Sequence, residues 1–304
     1  MSPPLFLNVD KPDGMTSHDV VACLRKLTGV KHMGHAGTLD RMATGVLPIA
    51  LGSACRLLRF LSKDKIYLAQ FLIGTRTDTD DIEGKVLTQV DAVNCTRELI
   101  KDLLAGFVGE QMQSPPVYSA VHHAGKRLYK LAKAGNVPHE VSPRKVVIYD
   151  LQILSIDLPS VTLRIHCSGG TYIRAIARDL GEKLGVGACL KSLVREKSGP
   201  FLLDGAISLE RIIELGKSGK LRERCTDPRE VLDFSVVSLD QENAHRLTMG
   251  QYIGLEQLGQ SNDNLIDQKH CLVTLENCVV ALCAITSDNK LRPEVVVGHA
   301  KSID

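Results

Sequence analysis

Residues 65–73, KIYLAQFLI, carry apolar side chains at both odd and even positions. An extended segment that is apolar on both faces has to lie inside a sheet covered from above and below. The chain is therefore predicted to fold around a central buried strand. Residues 161–167 give a second strand. There Val161, Leu163, Ile165 and Cys167 alternate with Thr162, Arg164 and His166, so one face is buried and the other is not. Gly169-Gly170 ends it, and Ile173, Ile176, Ala177, Leu180 and Leu184 then keep helical period from about Tyr172 to Leu184.

The remaining elements follow from local signals. LFLNVD, residues 5–10, reads as a strand, followed by the turn Lys11-Pro12-Asp13-Gly14. Thr16 or Ser17 caps a helix to about Leu27, which Thr28-Gly29 stops. A polar loop from Gly74 to Gly84 leads to a strand at 85–91, predicted to close a long-looped hairpin on 65–73. Further helices are expected from Arg97 to Phe107 and from Ser208 to about Leu215, and a further strand at 146–156. Between about 111 and 145 the texture is different: Pro115-Pro116, then a basic run. There Lys126, Lys130 and Lys133 are predicted on one helical face and Leu128 and Leu131 on another. After residue 235 come short β-like runs at 271–275, 278–285 and 294–298. These features predict an α+β fold with a mixed, largely antiparallel sheet and flanking helices. A large domain at 1–235, with the 111–145 insertion, precedes a small β-barrel-like domain at 236–304.

Composition narrows the function classes. The nine cysteines contain no C-x-x-C pair, which disfavours a disulfide framework or a zinc ribbon and fits free thiols in a reducing cytoplasm. No apolar run reaches the length of a membrane helix, and no charged segment with an apolar run opens the chain. Neither a membrane nor a secretory role is expected. Residues 236–304 hold five basic and nine acidic residues, a net of −4, which leaves +6 for the rest. That asymmetry fits a polyanion-binding body with an acidic tail domain. With no Trp and few aromatics, a multi-aromatic stacking platform for single strands is disfavoured.

The densest polar cluster is Gly34-His35-Ala36-Gly37-Thr38-Leu39-Asp40-Arg41-Met42-Ala43-Thr44-Gly45. Its glycines let backbone approach a ligand closely. No Gly-Lys-Ser/Thr follows, so it is not a Walker loop, and its spacing is not that of a dinucleotide fingerprint. It reads as a loop that holds one acid, Asp40, either for chemistry or as an Asx turn. Residues 78–84 superficially resemble a calcium loop. Ile82 and Glu83 stand where an oxygen ligand and a glycine are required, so the segment is read as a solvated loop. His122-His123 has no partner spacing for a metal, and no metal is expected.

These motifs resemble a known family. GHAGTLDRMATGVLPIALG is similar to the catalytic motif of the TruB-type tRNA pseudouridine synthases. Leu7–Ser17 resembles the family's first motif. Tyr67 with Gly74–Asp80 resembles the second, Ser114–Ala120 with Gly125–Tyr129 the RNA-binding insertion, and Cys167–Arg174 with Asp179–Gly181 the third. All occur in the family's order over roughly residues 5–205.

The resemblance implies cofactor-free isomerisation of uridine to pseudouridine at position 55, in the T loop of tRNA, by a cytoplasmic monomer. It implies Asp40 as the catalytic carboxylate, Arg174 as its partner, and Tyr67 stacked on the target base. Tyr172 and Leu193 would line the pocket, and His35 would contact the RNA and help hold the base out. The basic insertion, with Lys126 and Lys130, would read the T stem-loop, and residues 236–304 resemble a PUA-type RNA-binding domain. Two positions depart from the pattern: Arg41 follows Asp40 where the family usually has Pro, and His122 stands where it commonly has Lys. Two rivals remain at this point: a non-catalytic RNA-binding protein on the same scaffold, and a hydrolase using Asp40 on a small molecule.

Overall fold

The computed structural model describes residues 4–91, 95–119, 121–123, 125–136, 141–258, 265 and 268–298. The chain divides into two compact units. The first holds residues 1–40, 46–62 and 200–304; the second holds 41–45 and 63–199.

In the first unit, β1 (Leu5–Lys11) leads to α1 (Ser17–Thr28). Thr16 caps α1 in a capping box with Asp19, and Gly29 ends it in the left-handed conformation. β2 (Met33–His35) pairs antiparallel with β3 (Thr44–Leu51), in register His35 to Ile49. A 3₁₀ helix, Gly52–Phe60, follows.

The C-terminal part of this unit is a curled five-stranded sheet, a small β-barrel-like domain of PUA type. Its strand order is 235–238, 270–275, 278–285, 290–296 and 253–254. The first pair is parallel and the others antiparallel. Its residues alternate in burial partners as strands require. Cys271, Val273, Ala281 and Cys283 pack with Ala244 and Leu247 of the helix Gln241–Thr248. Leu272, Val279, Leu282 and Val295 face the other way, into a cluster with Phe6, Val46, Ala50, Leu57 and Phe201. The sheet is thus buried on both faces, and all nine cysteines are free thiols.

In the second unit, β4 (Lys65–Ile73) is central, between β11 (Ser160–Cys167) and β12 (Ala188–Ser198). Both pairings are antiparallel. β10 (Arg144–Asp157) and β7 (Gly109–Gln113) extend the sheet beyond β11. α4 (Ile173–Leu184) and α2 (Arg97–Ala105) lie against it. Thr44 and Gly45, the first residues of β3, pair in parallel with Val194 and Arg195 of β12. The sheet is mixed and largely antiparallel, with flanking helices, as the central run at 65–73 implies.

Three expectations need correction. Strand 65–73 does not form a hairpin with 85–91. β5 (Thr75–Thr77) takes β6 (Val86–Gln89) as its partner in a separate ribbon, because both edges of β4 are already occupied. Lys126 is not helical: β8 (His122–His123) pairs with β9 (Lys126–Arg127), and α3 spans only Leu128–Lys133. Leu128 and Ala132 are buried there, while Lys126 and Lys130 are exposed. Finally, the loop at 78–84 is solvated only in part: Asp78, Ile82 and Glu83 are exposed, but Asp81 is only 5% exposed.

Gly45 has φ +94°, and a Cβ built there would strike the Arg195 carbonyl oxygen and approach its amide nitrogen to 3.0 Å. Neither the conformation nor the space suits another residue. Gly45→Ala is expected to destabilise the protein by about 2–4 kcal/mol, measured by urea unfolding; a loss below about 0.5 kcal/mol would mean that β3 and β12 separate freely.

Candidate active site

Asp40 lies in the first unit, and its backbone position is set from a distance. The Lys11 side chain, fully buried, donates to the carbonyls of Pro12 (2.8 Å) and Met15 (2.5 Å), which fixes the turn before α1. Ser17, the first residue of α1, then donates its hydroxyl to the Leu39 carbonyl (3.2 Å) and accepts from the Leu39 amide (2.8 Å). Both backbone groups of the residue before Asp40 are thereby held. Asp40 and His35 are half-buried, and Arg41 is exposed.

The other expected residues lie in the second unit. Tyr67 stands on β4 opposite Ile165 of β11 and Arg195 of β12. Arg195 is also opposite Gly45 of β3. Gly45, Arg195 and Tyr67 therefore form one row across three adjacent strands. Leu193, two residues back on β12, pairs with Ala69 and is buried. Arg195 is the largest fully buried side chain among the described residues. Close by on β4, Lys65 donates to the Ser198 hydroxyl at 2.9 Å. Burial, then the neighbouring Arg195 charge, pushes the Lys65 ammonium down to about 8, against the pull of Asp64.

Arg174 sits in the first turn of α4, 4% exposed. It donates to the carbonyls of Thr79 (2.8 Å) and Tyr118 (3.1 Å), and it pairs with the Asp81 carboxylate at 3.4 Å. Tyr172 has no capping side chain of its own for α4. Gln113 of β7 instead holds the backbone of Tyr172: its side-chain oxygen accepts from the Tyr172 amide (2.8 Å) and its amide nitrogen donates to the Tyr172 carbonyl (3.1 Å).

Sequence reading missed three charged groups here: Asp81, Arg195 and Lys65. Asp81 carried a signal, because it directly follows the recognised Gly74–Asp80 motif, and a buried arginine requires a carboxylate. Among the described residues no group of His, Cys, Asp and Glu could hold a metal ion. A cavity of about 640 Å³ in the first unit, lined by Leu5, Val30, His32, Leu51 and Leu221 among others, contains none of the expected residues.

This architecture is that of the pseudouridine synthases. The fold matches that of the protein in the crystal structure of a Cbf5–Nop10–Gar1 complex with a TM-score of 0.70 and 24% identity, over 97% of this chain and 85% of that one. A family model described as "TruB family pseudouridylate synthase (N terminal domain)" matches residues 25–173. TRNA pseudouridine synthase B of Dehalococcoides mccartyi is 44% identical over 257 residues, 84% of this chain and 85% of that protein. Its namesake in Gloeobacter violaceus is 45% identical over 252 residues, 82% and 86% of the two chains. The chain belongs to the TruB family of pseudouridine synthases, which makes it an isomerase of uridine.

Two outcomes are expected from the buried charges. Asp81→Ala removes the carboxylate facing Arg174 and should destabilise the protein by about 3 kcal/mol, Asp81→Asn by less; equal urea midpoints for Asp81→Ala and wild type would refute the pairing. Lys65 titrates lower in the fold than in the unfolded chain, so the unfolded chain binds the extra proton between about pH 8 and 10.4. Stability attributable to Lys65 therefore rises with pH across that window. Relative to Lys65→Met, the wild type should gain on the order of 1–2 kcal/mol between pH 7.5 and 9.5; a constant difference would show that Lys65 titrates normally.

Proposed function

We propose that this chain converts uridine 55 in the T loop of tRNA to pseudouridine, using Asp40 as its essential carboxylate and no cofactor. The N–C bond joining base to ribose breaks, the base turns, and a bond from its carbon 5 to the ribose forms while the proton on that carbon leaves and the freed ring nitrogen takes one up. No atom is gained or lost and no redox change occurs, so the chemistry asks only for positioning, charge and proton transfer.

The observation that carries the reading is the row of Gly45, Arg195 and Tyr67 on adjacent strands, with Asp40 five residues before Gly45 in the chain. That covalent link limits how far Asp40 can stray from Gly45, to roughly 17 Å of extended chain at most. In this proposal the flipped base stacks on Tyr67, with Tyr172 and Leu193 as further walls. Flipping costs a few kcal/mol, and His35 helps to hold the base out of its loop. Arg174 orients Asp40. Its ties to Thr79, Tyr118 and Asp81 support such a role, because a guanidinium held from three sides presents one geometry.

Lys126 and Lys130, exposed on the insertion, would contact phosphates of the T stem-loop. The net −4 charge of residues 236–304 directs phosphate binding to the insertion rather than to the PUA-like sheet. The protein acts on the RNA as a monomer.

The test uses an unmodified tRNA carrying tritium on carbon 5 of its uridines. Wild type should release tritium from uridine 55, and Asp40→Asn should lower the rate by at least about 10³-fold with RNA affinity within a few-fold. Tight RNA binding without release by the wild type would overturn the enzymatic reading.

A further inference from the structure

Arg178 stands one helical turn after Arg174 on α4, so the two project from the same face. Arg174 ties Thr79 and Asp81 to the carbonyl of Tyr118. Arg178 repeats this pattern one turn on. It pairs with the Asp80 carboxylate at 3.2 Å and donates to the Ser114 carbonyl at 3.0 Å. Asp179 holds the same guanidinium at 2.7–2.8 Å. Two arginines thus join the 79–81 loop to the 114–118 segment at two levels, and Ser114 is where the insertion leaves β7.

The Asp80 backbone adds a second observation. Asp80 has φ +62°, a left-handed conformation that glycine adopts most readily and that aspartate, with its short polar side chain, adopts more readily than most residues. Its carbonyl accepts from the Leu190 amide at 2.9 Å, and two residues on the Ile82 amide donates to the Leu190 carbonyl at 2.9 Å. The aspartate thus holds this left-handed backbone position while its carboxylate meets Arg178. It is also largely enclosed: the side chains of Asp80 and Arg178 are 13% and 18% exposed. Burial pushes the Asp80 carboxyl up, and the Arg178 and Arg174 charges oppose that shift. An enclosed ion pair of this kind adds little net stability over an apolar pair of the same size. What it does add is a fixed geometry.

We propose that Arg178, through its simultaneous hold on Asp80 and the Ser114 carbonyl, is a positioning residue that sets the orientation of Arg174 for the isomerisation and couples it to the root of the RNA-binding insertion. Arg178 does not touch the substrate in this arrangement. It fixes the two segments whose carbonyls and carboxylate orient the Arg174 guanidinium. Lysine could keep the charge opposite Asp80 but lacks the planar fork that serves Asp80, Asp179 and Ser114 together. The inference rests on the proposed role of Arg174.

The experiment measures single-turnover tritium release from uridine-labelled tRNA at saturating enzyme, alongside RNA affinity by filter binding. Arg178→Gln should slow the reaction about tenfold or more while affinity stays within about threefold, because displacement of a positioned group reduces rate more than binding. Arg178→Lys should recover part of the rate. Asp80→Asn should slow it comparably, and the Asp80→Asn/Arg178→Gln double variant should be no slower than the slower single one, as expected of two residues acting as a unit. Leu247→Ala, in the C-terminal core, destabilises without touching these segments and should keep the wild-type rate.

Rates within twofold of wild type for Arg178→Gln and Asp80→Asn would overturn the proposal. So would multiplicative losses in the double variant, or an equal loss in Leu247→Ala. Arg174→Lys separates the two levels of inference. A normal rate for that variant removes the reading of Arg174 itself, whereas a slow Arg174→Lys beside a normal Arg178→Gln removes only the role of Arg178.

Discussion

β3 can enter the sheet beside β12 only because residue 45 has no Cβ. Gly45 lies against the Arg195 backbone with φ +94°, so the parallel pairing of Thr44 and Gly45 with Val194 and Arg195 depends on that one close approach. Much follows from it. The pairing ties the segment just after Asp40 to β12, and β12 is tied in turn to β4 and to Tyr67. A side chain at 45 would push β3 away, and with it the end of the Asp40 loop. The glycines of the 34–45 segment therefore serve sheet assembly as well as access to a ligand.

The second constraint is the number of charges that the fold encloses. Lys11, Lys65, Asp81, Arg174 and Arg195 are each at most 9% exposed. Burying a charge costs several kcal/mol unless it is paired or well hydrogen-bonded, and replacing such groups by apolar ones often stabilises a protein. Lys11 and Arg174 lie within the first and third motifs, and Lys65 and Asp81 border the second, which is the mark of a protein that keeps charge inside for positioning. Lys11 illustrates this: its ammonium satisfies two turn carbonyls and leaves Thr16 placed to cap α1. Lys65 has a hydroxyl partner and an arginine neighbour, and its ammonium shifts down to about 8 accordingly.

Where local period and burial agree, the fold was legible from the sequence. The run at 65–73 is the central strand over the same residues, 161–167 is the core of β11, and α1 and α4 begin and end within a residue of their capping signals. β12 was not legible. Its register shifts between Leu190 and Ser192 and again between Arg195 and Lys197, so ACLKSLVREKS shows neither period two nor helical period. The pairing of β6 with β5 escaped for a related reason: β6 is exposed along its whole length, so no burial pattern could say which strand it pairs with. Asp81 was misjudged because an acidic run between strands is usually solvated. Only the position of Arg174, more than ninety residues later, gives that run a reason to be buried. Short-range pattern encodes elements; long-range charge pairing is encoded only jointly by distant segments.

The Arg41 departure can be weighed on the same grounds. Proline after the aspartate would stiffen the loop by fixing a backbone angle. In this chain Leu39 is held at both its amide and its carbonyl by the Ser17 hydroxyl, one residue before Asp40. Four residues after it, Thr44 begins a paired strand. The segment free to move is therefore very short, with a turn at 41–42 and a buried Ala43. Rigidity that proline would supply within the loop is supplied from its two ends. Ser17 can do this because it opens α1, whose start is fixed by the Thr16–Asp19 capping box and by the Lys11 side chain behind it. The first motif thus acts on the carboxylate through backbone geometry, and an arginine at position 41 is compatible with a well-held Asp40.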